Sequence, residues 1–228
     1  MRIDPSLSPK DAIALQKELR EQVLLKPLTD PVSLIGGADV SMNRFAKDGF
    51  AGFVTLSYPE LSLVDESVVH SDIPFPYIPG LLSFREIPML LNAWEGLRTK
   101  PEVLVVDGIG IAHPRRLGIA SHLGLILSLP TIGCAKSVLV GTYEEPPNER
   151  GAYRYLMHQG EVIGAAVRTK VNVKPVFISP GHLITLEESI ELVMDTNIKH
   201  RLPEPTRQAH NAVNRHRIAF MNGSGAPA

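Results

Sequence analysis

Val103-Leu104-Val105-Val106-Asp107-Gly108 is the stretch whose reading decides the fold. Its four apolar residues do not alternate with polar ones, and they are bounded by Pro101 and an Asp-Gly turn. A strand covered on both faces has this pattern, so the run belongs at the centre of a sheet. Downstream, 116–129 reads as a helix stopped by Pro130, and Thr131-Ile132-Gly133-Cys134-Ala135 as a second buried strand. Strand, helix and strand in that order make a parallel βαβ unit.

Towards the N-terminus, Ser8-Pro9 opens a helix over 9–25 with Ala12, Leu15, Leu19 and Val23 at helical spacing. Strands are expected over 34–40, 52–57 and 61–70, the last two flanking the turn at Tyr58-Pro59-Glu60. A loop with three prolines, 71–80, then leads into a helix whose stripe is Leu82, Met89, Leu90, Ala93, Trp94 and Leu97. Towards the C-terminus come strands over 162–170 and 175–178. A helix follows, opened by the capping box Thr185-x-x-Glu188 and running toward Lys199, and then another over 203–220. The whole of 1–221 reads as one α/β domain, a central mixed sheet with helices on both faces, and 222–228 as a disordered tail.

Composition narrows the class. The chain has 228 residues and 44% hydrophobic content, enough for a true core. No apolar run reaches the roughly 18 to 20 residues of a membrane span, and Met1 to Lys10 has no signal-peptide pattern. A soluble, cytoplasmic protein with no membrane partner is therefore expected. The single cysteine, Cys134, allows no internal disulfide and no thiolate cluster, so any metal must take oxygen or imidazole ligands. With 23 basic and 24 acidic residues, binding to nucleic acid would depend on a local groove and not on bulk charge.

Three carboxylates stand where packing alone would not put them. Asp39 lies inside an apolar strand, Asp107 ends the most buried one, and Glu86 follows the proline loop. Open α/β sheets gather functional groups at the carboxyl ends of their strands. Acids from separate elements make a hard oxygen site suited to Mg²⁺ or Mn²⁺, and such sites typically serve phosphoryl transfer. Lys136, just past the second buried strand, joins the same edge if the two strands are parallel. Gly108, Gly110, His113, Arg115 and Arg116 form a glycine-lined turn with an imidazole and two guanidinium groups, a phosphate-contact candidate that fits neither the dinucleotide nor the triphosphate-loop register. Pro76-Tyr77-Ile78-Pro79 presents an aromatic ring on a stiff loop, as base-stack wedges do. From Lys199 to Arg217 five basic residues face one acid, Glu204.

Ordinary alternatives stand beside each of these. Asp39 can be a solvent-facing strand end, Asp107 a simple Asp-Gly turn, and Glu86 the capping partner of Ser83, although Pro88 argues against that cap. The arginine pair, Lys136 and the 199–217 segment can be solvated surface, and Tyr77 can pack on its own domain.

In this order the pieces resemble the endonuclease V family of deoxyinosine-directed repair nucleases. The matching blocks are Gly37-Ala38-Asp39-Val40-Ser41, the stretch from Pro76 to Glu86, Asp107-Gly108, the stretch from Gly110 to His122, Thr131 to Lys136, Gly181-His182 and Leu202 to Arg207. The resemblance implies a ribonuclease H-like fold and metal-dependent hydrolysis of the second phosphodiester bond 3′ to deoxyinosine, leaving 3′-hydroxyl and 5′-phosphate ends. It further implies metal held by Asp39 and Asp107 with Glu86 completing the acidic site. His113, Lys136 and His210 would stand around the metal and scissile phosphate, Tyr77 in the wedge, and Gly80, Leu82, Gly108, Gly118 and Ile119 around an extruded base. The expected partner is inosine-containing DNA, with inosine RNA and a non-catalytic lesion-binding role as alternatives, and the expected state is a monomer. The chain departs from the family pattern at Ile109, where a polar residue is expected, and at Val138, where a basic one is.

Overall fold

The computed structural model describes residues 7–43, 46–73 and 75–223. Pro74 of the proline loop and residues 224–228 of the expected tail lie outside the described residues. Eight strands form one sheet: β1 (Leu34–Ser41), β2 (Asp48–Ser57), β3 (Leu63–Asp72), β4 (Val103–Val106), β5 (Thr131–Ala135), β6 (Tyr153–His158), β7 (Glu161–Val167) and β8 (Val176–His182). Their order across the sheet is β3-β2-β1-β4-β5-β8-β7-β6. β1, β4 and β5 are parallel and the other pairings antiparallel, so the sheet is mixed.

The run at Val103–Val106 occupies the middle for the reason its sequence implied. Val103 and Val105 pack with Ile35, Ile132, Leu192 and Ala209 on one face, while Leu104 and Val106 pack with Ile87, Leu90, Ile119 and Leu123 on the other. Helices α2 (Leu82–Gly96) and α3 (Ile119–Leu127) cover the second face, and α4 (Leu186–Asp195) and α5 (Glu204–Met221) the first. With no wet side, the strand has no polar position. Gly37 of β1 is required by this packing: a Cβ there would lie 1.9 Å from the Pro205 carbonyl oxygen at the start of α5.

Several boundaries differ from expectation. The first helix, α1 (Pro9–Leu19), is capped by Ser8 and gives way to a single 3-10 turn at Arg20–Gln22 well before residue 25. α3 starts at Ile119 and not at residue 116, because Arg116 is left-handed (φ 58°) and Gly118 is the extended cap residue. β2 begins four residues earlier than expected, at Asp48. β6 carried no expectation: on this edge strand only Leu156 is buried, so the two-residue alternation is faint. α4 opens with the Thr185–Glu188 capping box, as expected, but ends at Asp195. In α2, Ser83 makes no cap; its hydroxyl lies 3.1 Å from His122 Nδ1, and Pro88 sits inside the helix. Among the described residues no helix is long and apolar enough to cross a membrane.

Candidate active site

Parallel pairing at the centre of the sheet brings two aspartates side by side. Ala38 of β1 is in register with Val106 of β4, so Asp39 and Asp107 are the next residues on adjacent strands, and the Asp107 amide donates to the Ala38 carbonyl at 3.1 Å. Lys136 follows β5, parallel to β4, and forms a short ion pair with Asp107. α5 crosses the same edge from the other face and sets His210 Nδ1 3.0 Å from Asp39 Oδ2, with the Asn214 amide nitrogen 2.8 Å from its Nε2. Glu86 reaches the same cavity from the second turn of α2.

The electrostatics follow from this crowding. Asp39 is 7% exposed, and its pKa is raised to about 6, first by burial and then by the Asp107 charge, against the pull of His210 and Lys136. The Glu86 carboxylate makes no hydrogen bond or ion pair among the described residues. Burial, followed by repulsion from Asp39 and Asp107, pushes it up to about 8. Three mutually repelling carboxylates on one cavity, one of them unpaired, make a donor set suited to a hard divalent cation. Among the described residues, however, no group of three or more His, Cys, Asp or Glu side chains is arranged to hold a metal ion. Asp39 faces His210 and Asp107 faces Lys136.

A cavity of about 380 Å³, within the range of small-ligand sites, continues from the carboxylates. Asp39, Glu86 and Asp107 line one end of it. Tyr77, Ile78, Pro79 and the whole expected base pocket, Gly80, Leu82, Gly108, Gly118 and Ile119, line the rest. Gly80 has φ +78°, a conformation that suits glycine. The loop before it is pinned at both ends: Phe75 and Leu81 are buried in a cluster with Ala12 and Phe84 against which Ile78 also packs, while Tyr77 is exposed. Arg85, buried beneath, donates to the Phe75 carbonyl at 2.6 Å and the Ala46 carbonyl at 2.9 Å.

Other expected residues carry intramolecular bonds that their sequence reading did not foresee. His113 is 3% exposed; its Nε2 donates to the Gly80 carbonyl at 3.1 Å, and its Nδ1 accepts from the Arg115 amide at 3.1 Å. Burial, then the Arg115 charge, pushes its pKa down to about 4, so it is a neutral support for the loop with both ring nitrogens committed. The arginine pair is no open basic turn. Arg115 bonds Gln16 and the Gly80 carbonyl, and Arg116 pairs with Glu161 at 2.7 Å. In the 199–217 segment, Arg207 pairs with Glu204 and Arg215 with Glu66, while Arg217 donates to the Ser41 hydroxyl. Cys134 is buried with its pKa pushed up to about 12, as befits core filler. Ile109 and Val138, the two departures, both pack against Ala135, Ala166 and Phe177 and also against Ala112, Leu156 and Ile163, so the apolar pair joins two small clusters.

Sequence reasoning missed Gln16, Asn214, Ser83 and Ser137. Asn214 lies one helical turn after His210, a spacing that could have marked it. Ser83 and Ser137 line the cavity with no comparable signal, and Gln16 reads as an ordinary helix residue.

Comparison with known proteins agrees with this geometry. The sequence pattern of the endonuclease V family matches residues 17–211. Endonuclease V of Dictyoglomus turgidum is 50% identical over 202 residues, covering 88% of this chain and 87% of its own length. The crystal structure of endonuclease V from Streptomyces avermitilis superposes with a TM-score of 0.90 at 37% identity, over 99% of this chain and 98% of that one. That of Ciona intestinalis endonuclease V (D234N), in complex with a 23mer DNA containing an inosine followed by a ribo-adenosine, superposes with a TM-score of 0.79 at 29% identity, over 94% and 100% of the two chains. The ribonuclease H-like mixed sheet, the cavity at its carboxyl edge and these likenesses agree, and the chain belongs to the endonuclease V family.

Proposed function

We propose that this chain is a metal-dependent repair endonuclease that hydrolyses the second phosphodiester bond 3′ to deoxyinosine and other deaminated bases, leaving 3′-hydroxyl and 5′-phosphate ends. The observation that carries the reading is the single cavity in which three carboxylates meet a glycine-rimmed pocket beside an exposed tyrosine. Recognition and chemistry thereby sit side by side without sharing a position: an extruded base fills the pocket while the strand continues past the acids.

Asp39 and Asp107, with Glu86 as the third oxygen donor, fit Mg²⁺, for which Mn²⁺ can substitute. Such an ion supplies neutralisation of phosphate charge and a lowered pKa for the attacking water. The water oxygen adds to phosphorus, the bond to the 3′ oxygen breaks, and that oxygen leaves as a hydroxyl after taking a proton. Lys136, exposed at the same edge, holds Asp107 and lends positive charge toward the phosphate. His210 keeps Asp39 oriented, and His113 holds the pocket rim.

The experiment is a nicking assay on matched duplexes carrying inosine or guanine, with and without Mg²⁺. Inosine-specific, Mg²⁺-dependent nicking is expected, and Asp107→Ala is expected to abolish it while lesion binding survives. Nicking retained by that variant would remove the metal role from Asp107. Equal binding with and without metal and no turnover would instead mark a lesion-binding protein. A second reading, cleavage of inosine in RNA, is favoured by the ribo-adenosine that follows inosine in the Ciona complex. The same assay with a ribonucleotide 3′ to the lesion separates the two, since the 2′-hydroxyl is the distinguishing group.

A further inference from the structure

α1 lies outside the sheet, yet one of its side chains enters the frame of the pocket. Gln16 is 1% exposed. Its Nε2 donates to the Gly80 carbonyl at 3.0 Å and to the Leu117 carbonyl at 3.3 Å, while its Oε1 accepts from Arg115 Nε at 2.5 Å. Gly80 ends the wedge loop and Leu117 precedes the Gly118 cap of α3, so this amide spans the two segments that form the pocket rims. The peptide between Gly80 and Leu81 is held throughout: its carbonyl also accepts from His113 Nε2 and from Arg115 at 2.6 Å, and its N–H donates to the Ile78 carbonyl at 2.9 Å.

We propose that Gln16 is a positioning residue that sets the spacing between the two rims of the base pocket, and through it the preference for inosine over guanine. The proposal rests on the endonuclease reading above. Guanine differs from hypoxanthine by a 2-amino group, so rejecting it depends on a close wall, and a wall fails when its rim moves by a fraction of an ångström. Only a side chain with donors and an acceptor on one end can bond two carbonyls and a guanidinium together. Glutamate at this position keeps the acceptor, loses both donors and sets oxygen against oxygen. Methionine keeps the length and loses all three bonds.

The test compares wild type, Gln16→Glu and Gln16→Met in binding to duplexes that differ by one inosine or guanine, without added metal. Both variants are expected to lose about tenfold of the wild-type inosine-to-guanine affinity ratio, the scale of one unmade buried hydrogen bond, because the guanine duplex gains affinity once the wall has moved, whether or not the melting temperature falls. Full discrimination by both variants overturns the proposal. Equal loss of affinity for both duplexes together with a lowered melting temperature also overturns it, because Gln16 then serves only the fold. Wild-type protein with no preference for inosine would instead remove the endonuclease reading, and this proposal with it.

Discussion

Tyr77 and His113 show how differently two residues of one site depend on their surroundings. Tyr77 is exposed between prolines, and Phe75 and Leu81 anchor the loop on either side. A ring presented this way matters most where a base stack must be opened. Tyr77→Ala is therefore expected to weaken binding to an inosine duplex several-fold more than to the same single strand, read by fluorescence anisotropy; equal losses would take the wedge role away. His113 has no ring nitrogen left for substrate, and its pKa is pushed down to about 4. His113→Gln should lower affinity for inosine DNA while leaving the shape of the pH profile of nicking unchanged. A histidine that moved a proton would change that profile, and such a change would support the catalytic role expected from sequence.

Between elements, the contact of α5 with β1 assembles half the site. Gly37 lets the Pro205 backbone approach, and His210 follows on the next turn of α5 to meet Asp39. Adding a methyl group at Gly37 forces the helix off the strand. Gly37→Ala is expected to cost about 1–3 kcal/mol of stability by overpacking, and to reduce nicking beyond what instability explains because His210 leaves Asp39. Denaturant titration and nicking rate, measured on the same sample, check both parts. The glycine was legible as part of a motif, but its steric partner, 168 residues away in sequence, was not. The start of α3 was misread for a similar reason: Arg116 adopts a left-handed turn while its side chain pairs with Glu161 on β7, a strand that the local pattern around Arg116 cannot show.

Across the described residues, burial lowers the pKa of His113, His122 and His182, most strongly that of the first two. His122 is fully buried beside Ser83 and Phe84, and burial pushes its pKa down to about 4, like that of His113. Unfolded, each takes up a proton as pH falls below about 6.5. In the window from about 6.5 down to 4 the unfolded state therefore binds more protons, and their contribution to stability is lost as pH falls. Asp39 and Glu86, pushed upward, oppose that slope, so the informative comparison is between wild type and His122→Gln. Urea unfolding at pH 7.5 and 4.5 should show a smaller acid loss in the variant; identical losses would mean that His122 is already charged in the fold. The sequence alone determined the central strand, the parallel unit, the caps at Ser8 and Thr185 and the candidate acids, because apolar periodicity, turn residues and cap chemistry act over a few neighbouring positions. Tertiary structure decided which partners those groups meet. The register of β1 against β4 placed Asp39 beside Asp107, burial neutralised His113 and engaged both arginines, and Gln16 became part of the pocket frame, since distance in space and loss of water are set only when the chain closes on itself.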